Sequence, residues 1–301
     1  MYYFLSVLAG VFIAVMVMIN GKLTAYYGVY SATAVIHLVG LLFVLVLLAA
    51  KRERIRLDQK LPFHLYLGGA VGFLTVVFNN ISFGRISLSA ILALGLLGQC
   101  LTSLVLDKYG FWGMPTHPYS KKKIFGIALV TLGIVPMVMD ADAGAVIPII
   151  VSLLTGVTVV VSRTINASLA RHTGIFASTF FNYAVGFVLS MGFLLIAGRG
   201  EPMLTQFTLS PDAWIYLGGI IGVCLVALLN ASVHRISSFY MTLLLFAGQV
   251  FAGIALDIAL SGVFSPRNLI GGLLVTAGLV QNLLVDRMDA RRKRVETNTA
   301  Y

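Results

Sequence analysis

The sequence predicts an all-α integral membrane protein of ten transmembrane helices arranged as two inverted five-helix repeats, and three observations predict it. Of its 301 residues, 59% are hydrophobic and only 11% charged, whereas a soluble domain carries about 25% charged residues. Long apolar runs recur between polar or Gly/Pro breaks. The second half of the chain repeats the first.

A bilayer core about 30 Å thick takes about 20 apolar residues per spanning helix. Apolar runs fall near residues 3–25, 31–50, 63–82, 88–107 and 121–139, then 145–168, 175–197, 213–233, 238–260 and 268–286. None shows the alternation a barrel strand needs, so each is read as a helix, which satisfies its own backbone in lipid. The first run has no basic segment before it and has a counterpart deep in the chain, so it reads as a retained helix and not a cleaved leader. Cys100 and Cys224 both fall inside spans, as small packing residues and not a disulfide framework.

Three alignments carry the repeat. At an offset of 146, Gly10, Asn20, Leu23, Gly28, Thr33 and Gly40 match Gly156, Asn166, Leu169, Gly174, Thr179 and Gly186. At 150, LYLGG (65–69) matches IYLGG (215–219), Asn80 with RIS matches Asn230 with RIS, and Gly98, Gln99 and Asp107 match Gly248, Gln249 and Asp257. At 145, Gly126, Thr131 and Gly133 match Gly271, Thr276 and Gly278. The units are therefore 1–140, 144–287 and a basic cytoplasmic tail, 288–301.

Five helices per copy turn the second copy over, relating the halves by a pseudo-two-fold axis in the membrane plane. Charge sets the sides. With the N-terminus inside, 16 of the 21 Lys and Arg fall in cytoplasmic segments, chiefly 51–60, 121–123 and 287–294. Lys22, Arg85, Arg199 and Arg267 fall outside, and Arg163 lies within a span. This positive-inside bias puts both termini in the cytoplasm of a bacterial inner-membrane protein. The net charge of +10 therefore reads as topology and contact with anionic lipid, and not as nucleic-acid binding.

Five plus five inverted helices, GGxxG in the third helix and a Gly-rich fifth helix resemble the drug/metabolite transporter superfamily. The stretch QCLTSLVLDKYGFWG at 99–113 is more closely similar to the fourth helix of its uncharacterised bacterial inner-membrane exporter family, here in fused two-copy form. The resemblance implies a transporter of a small solute, with proton antiport as the superfamily's coupling and uniport or exchange as rivals. It also marks a departure. The small multidrug exporters carry a glutamate in their first helix, whereas this chain has no acid before Glu53 and none in 145–168. Lipophilic-cation antiport through that carboxylate is disfavoured.

Polar groups within spans are the candidate substrate-binding residues, because each must find a partner in hydrocarbon or line water. Asn20 and Asn166 are repeat equivalents in the first helix of each half. Arg163, one turn before Asn166, has the apolar Val17 as its counterpart and is the best candidate for binding an anion or gating. Snorkelling to the cytoplasmic boundary is its bland reading. Gln99 and Gln249 sit mid-span, each with an Asp eight residues on, and His37 has Tyr183 as its partner. For these the competing reading is a satisfied, merely structural group. The pairs Gly68/Gly72 and Gly218/Gly222 read as close-packing positions. For gating or proton coupling, Arg85 with Asp257 outside and Arg235 with Asp107 inside could alternate as ionic latches. Hydrated Asp and lipid-bound Arg are the plainer reading there.

No GxxxxGK[ST] loop or metal-ligand spacing is present, and the five His are scattered, so no cofactor is expected. The leading expectation is a secondary exporter working by alternating access, monomeric because the repeats are fused, with a small solute and lipid as partners. A membrane-embedded enzyme acting on an amphipathic substrate and a passive channel or scaffold are the alternatives.

Overall fold

The computed structural model describes residues 2–53, 55, 61–109, 122–139, 143–206, 208–233 and 238–298. Side chains at 2, 3, 5, 107, 143, 227–233, 238–243, 286 and 289–298 lie outside that description, as does all of Arg235. The described chain is helical: α1 (Tyr2–Tyr27), α2 (Val29–Lys51), α3 (Gly68–Ser82), α4 (Leu88–Tyr109), α5 (Lys123–Val138), α6 (Val146–Thr173), α7 (Ile175–Ala197), the single turn α8 (Pro202–Thr205), α9 (Gly218–Val233), α10 (Ser238–Ser261) and α11 (Pro266–Asn298). Eight segments are long and apolar enough to cross a membrane, and two shorter apolar helices, Lys123–Val138 and Ala213–Val226, complete the ten.

Differences from the sequence reading are local. The third and eighth spans open with 3-10 turns, Phe63–Leu67 and Ala213–Leu217, before the α-helix begins at the double glycine. The segment read as a separate basic tail continues α11 to Asn298, since nothing between 286 and 298 breaks a helix. Of the two cysteines within spans, Cys100 is half-buried and Cys224 is exposed on α9.

Single glycines join α1 to α2 and α6 to α7. Gly28 at φ 97° and Gly174 at φ 87° occupy the left-handed region that a side chain disfavours, and each lets the chain reverse without a loop. Hydroxyls inside the helices turn back on the preceding turn, as Thr33 does to Val29 O (2.6 Å) and Thr164 to Val160 O (2.8 Å), so neither is left bare in lipid.

The two repeats interlock. The principal pairings are α5 on α11, α1 on α10, α3 on α6, α4 on α6 and α2 on α7. Glycines at these crossings answer one another. A Cβ on Gly10 would meet Leu245 O at 2.1 Å, and one on its equivalent Gly156 would meet Gly95 O at 2.0 Å. A Cβ on Gly126 would lie 2.5 Å from Gly278 O, and one on Gly278 would lie 2.4 Å from Gly126 O. Helices in lipid associate by close backbone approach and not by exclusion of water, so these positions define the architecture. The largest apolar core, including Leu96, Val130, Ile134, Val250, Val275 and Leu279, lies where α4, α5, α10 and α11 meet.

We call the face where α1 begins the terminal face, and the opposite one, where α1 ends, the far face.

Candidate substrate pathway

The first half of α6 presents Ile147, Ile150 and Leu154 outward, at 65%, 52% and 40% exposure, as a lipid-facing stripe. Arg163 follows Leu154 by nine residues, about half a turn round at about 100° per residue, so it points away from that stripe. It is nevertheless exposed, as is Ala167 one turn later. On this side α6 crosses α4 tightly at Gly156, where a Cβ would meet Gly95 O and the Gln99 amide nitrogen. Arg163 lies two turns beyond that crossing, towards the terminal face, and about 15 Å before the end of α6. Its guanidinium has no hydrogen bond or ion pair among the described residues.

Asn166 sits beside it, turned towards α3 and α7. Its Nδ2 donates to Asn182 Oδ1 (2.7 Å) and Ser162 Oγ (3.2 Å), while Ser162 donates to Gly68 O (2.8 Å). The polar seam continues along α6 and α3. Thr75 donates to Thr158 (2.8 Å), Ser152 to Ser82 (2.8 Å), and Ser82 to Pro148 O (3.0 Å). Sequence reasoning missed Asn182, Ser162, Thr158 and Thr75. Their signal lies in where the copies differ, since the equivalents are Ile36, Met16, Phe12 and Leu225.

Asn20 occupies the mirrored site. Each Asn packs on the first glycine of the other repeat's double glycine: a Cβ on Gly218 would lie 1.8 Å from Asn20 Oδ1, and one on Gly68 would lie 2.0 Å from Asn166 Oδ1. Met16 and Ile36 offer Asn20 no polar partner, and its Oδ1 is buried without a hydrogen bond.

The remaining expected residues divide. His37 and Tyr183 lie on the α2–α7 seam, each packed on the other repeat's glycine. A Cβ on Gly40 would meet the Tyr183 ring at 2.1 Å, and one on Gly186 would meet the His37 ring at 2.3 Å. His37 Nδ1 is bonded to Thr33 O (2.8 Å) and Ser190 Oγ (3.1 Å), and Tyr183 donates to Gly219 O (3.3 Å). These groups interlock the α2–α7 seam. Gln249 is buried and Gln99 half-buried, both on tight glycine crossings.

On the far face the arrangement differs. Val17, the equivalent of Arg163, is buried in an apolar plug with Ala14, Leu88, Ile91 and Leu92, flanked by Phe83, Ala252 and Leu256. A Cβ on Gly21, the equivalent of the exposed Ala167, would lie 2.1 Å from the Phe83 ring. Asp257 does not pair with Arg85, which is exposed. Its carboxylate instead accepts from the amides of Leu88 (2.7 Å) and Ser89 (2.9 Å) and from Ser89 Oγ (2.6 Å), because the start of α4 presents unpaired N–H groups and a partial positive charge. The supposed inner partners lie outside the described residues for Arg235 and outside the described side chains for Asp107. Among the described residues no cluster of three His, Cys, Asp or Glu could hold a metal.

The chain matches the DMT_YdcZ family, described as "Putative inner membrane exporter, YdcZ", twice, over residues 1–136 and 147–281. A search of curated proteins finds no match. Among solved structures, one titled "Crystal structure of protein" superimposes with a TM-score of 0.61 at 16% identity, covering 95% of this chain and 96% of that one, a likeness of fold. Two family matches in tandem, interlocked through repeat-equivalent glycines, place this chain in the DMT_YdcZ family of the drug/metabolite transporter superfamily, as a membrane protein of two inverted halves.

Proposed function

We propose that the chain is a secondary active exporter of a small solute bearing an anionic group, working by alternating access, and that the terminal face is cytoplasmic. The observation that carries this reading is the contrast between Arg163 and Val17. Positions that the repeat makes equivalent are exposed at one end of the molecule and sealed in a plug at the other. Two inverted copies of one unit can exchange these shapes, which gives the pathway a route to the opposite face. In this reading the structure is the inward-facing member of the pair.

Arg163 supplies the charge for a carboxylate or phosphate, and a guanidinium free of protein carboxylates retains its donors for that purpose. Asn166, one turn from Arg163, and its partner Asn182 offer amide groups for orientation. Asn20 would play the part of Asn166 when the far face opens. His37, Tyr183, Gln99 and Gln249 hold the helix crossings in register. Family membership favours a carrier over an enzyme, and proton antiport remains the coupling the superfamily suggests.

Counterflow in proteoliposomes tests the reading. Internal substrate drawn from a panel of carboxylates and phosphate esters should accelerate uptake of the labelled compound, and Arg163→Leu should remove that acceleration. Equal uptake with empty liposomes would identify a channel. For the topology, a periplasm-dependent reporter should be active after Asp142 and silent after Tyr301; activity at Tyr301 would reverse the sides.

A further inference from the structure

The far face is closed by more than its apolar plug. Two acids of the second repeat each hold the N-terminus of a helix in the first. Asp257, near the end of α10, accepts three hydrogen bonds from the start of α4. Glu201, between α7 and α8, accepts from the amides of Tyr30 (2.9 Å) and Ser31 (2.7 Å) at the start of α2. Glu201 also covers the α1–α2 corner, where a Cβ on Gly28 would lie 2.4 Å from its carboxylate carbon. Among the described residues nothing covers the equivalent corner at the terminal face: a Cβ on Gly174 would meet nothing within 4 Å, and Glu53, an acid of the corresponding α2–α3 loop, is exposed.

We propose that Asp257 and Glu201 form a carboxylate clasp that holds the far-face gate shut across the two repeats, and that release of Asp257 from the start of α4 opens that gate. The inference rests on the alternating-access reading and deepens it. The clasp acts at the right place, because the α4 residues whose amides it binds or adjoins, Leu88 and Ile91, form the plug against Val17. Moving the start of α4 away from α10 withdraws both from α1. The bonds are charge-assisted and aligned with the dipole of α4, so they favour closure without the permanence of a packed core. Asp257 lines a far-face recess of about 310 Å³ together with Ile254, Ile258 and Leu260 on one hand and Ser87, Ser261 and Asn268 on the other, so space adjoins the carboxylate when it leaves the start of α4. An ionic latch through Arg85 is unnecessary, because the backbone itself supplies the donors.

The test uses the full chain in lipid nanodiscs with Cys100 and Cys224 replaced by Ala. One reporter cysteine is placed at a time, Val17→Cys in the plug or Ala167→Cys at its exposed repeat-equivalent region on α6. The reading is the rate of labelling by a polar maleimide. Asp257→Ala should raise the Val17→Cys rate about tenfold, the ratio one charge-assisted hydrogen bond supports, and should lower the Ala167→Cys rate. Ser89→Ala should do the same by a smaller factor, as should Glu201→Gln. Asp107→Ala, the repeat equivalent of Asp257 by sequence register, should leave Val17→Cys no faster.

An unchanged Val17→Cys rate in Asp257→Ala overturns the clasp, as does a rise at both reporters together, which would mean general loosening. Should Asp257→Ala fail to fold, Asp257→Asn and Ser89→Ala carry the same expectation, and indifference of the reporter to both counts against the proposal. The underlying reading fails separately: if Val17→Cys is never labelled in wild type or any variant, the far face does not open at all. A measurable wild-type rate that ignores Asp257 removes only the clasp.

Discussion

The plug around Val17 and the turn around Arg163 are repeat-equivalent parts of α1 and α6, in the same fold, yet one is buried and the other exposed. At the plug, apolar residues from α1, α4 and α10 close on one another, with Phe83 laid over Gly21. On the α6 turn, Arg163 and Ala167 are exposed. The same comparison extends to the neighbouring seams. The α3–α6 contact is laced by hydrogen bonds of Ser82, Thr75 and Ser162, whereas the repeat equivalents of Thr75, Ser162 and Thr158 are the apolar Leu225, Met16 and Phe12. Inverted repeats thus share a scaffold of glycine crossings while the chemistry differs between equivalent seams: residues of both copies make the α3–α6 seam polar, and residues of both copies make the plug apolar. A pathway needs only one charged site if both gates lead to it.

The sharpest way to break this comparison is to exchange its chemistry. Arg163→Leu should reduce counterflow below about a tenth of wild type while shifting the thermal midpoint by no more than about 2 °C, since the side chain makes no protein bond to lose. Retained transport would leave Arg163 as a snorkelling residue. The converse change, Val17→Arg, places an unpaired cation inside the plug, at a cost of about 2.5–3.5 kcal/mol, and should drive the far face open. Faster polar labelling of residues lining the far side, with lowered thermal stability, is the expected pair of readings. No change in either would mean that the plug is already wet.

A smaller effect comes from the Asn–Gly contacts. Gly218→Ala and Gly68→Ala each drive a methyl into an Asn oxygen, costing about 1–3 kcal/mol as overpacking does. Gly218→Ala should be the worse, because Asn20 is buried at 6% exposure whereas half-buried Asn166 has room to turn. Melting of the two variants in one detergent decides the order, and equal losses would mean that the halves are equally rigid there. The smallest effect belongs to the polar seam. Thr75→Val removes the bond to Thr158 and should cost about 0.6 kcal/mol, the average for such bonds between membrane helices. A loss of several kcal/mol would show the seam to be a cooperative network instead.

Much of this architecture is legible in the amino-acid sequence. The apolar runs dictate helices because lipid offers the backbone no alternative partner. The matched glycines identify the repeat because each marks a crossing where only a missing side chain permits the approach, and the structure shows those crossings closed reciprocally between the halves. The odd helix count then requires inversion. Arg163 stands out because a charge within a span needs a reason.

Other features depend on which surfaces meet. Repeat register places Val17 and Arg163 on equivalent turns, but no pattern along the chain states that one is buried and the other exposed, since that depends on which helices close over each. Charge pairing places Asp257 beside Arg85, yet its true partners are the Leu88 and Ser89 amides, donors that every residue but proline carries and no sequence advertises. Glu201 reads as an ordinary loop acid, and only the fold sets it against the start of α2, 171 residues away. Sequence by itself determined the helices, their number and their symmetry, because those follow from hydropathy and from glycine spacing along one chain. Tertiary structure alone decided which polar groups face each other and which face is closed, because those are properties of helix ends brought together from opposite repeats.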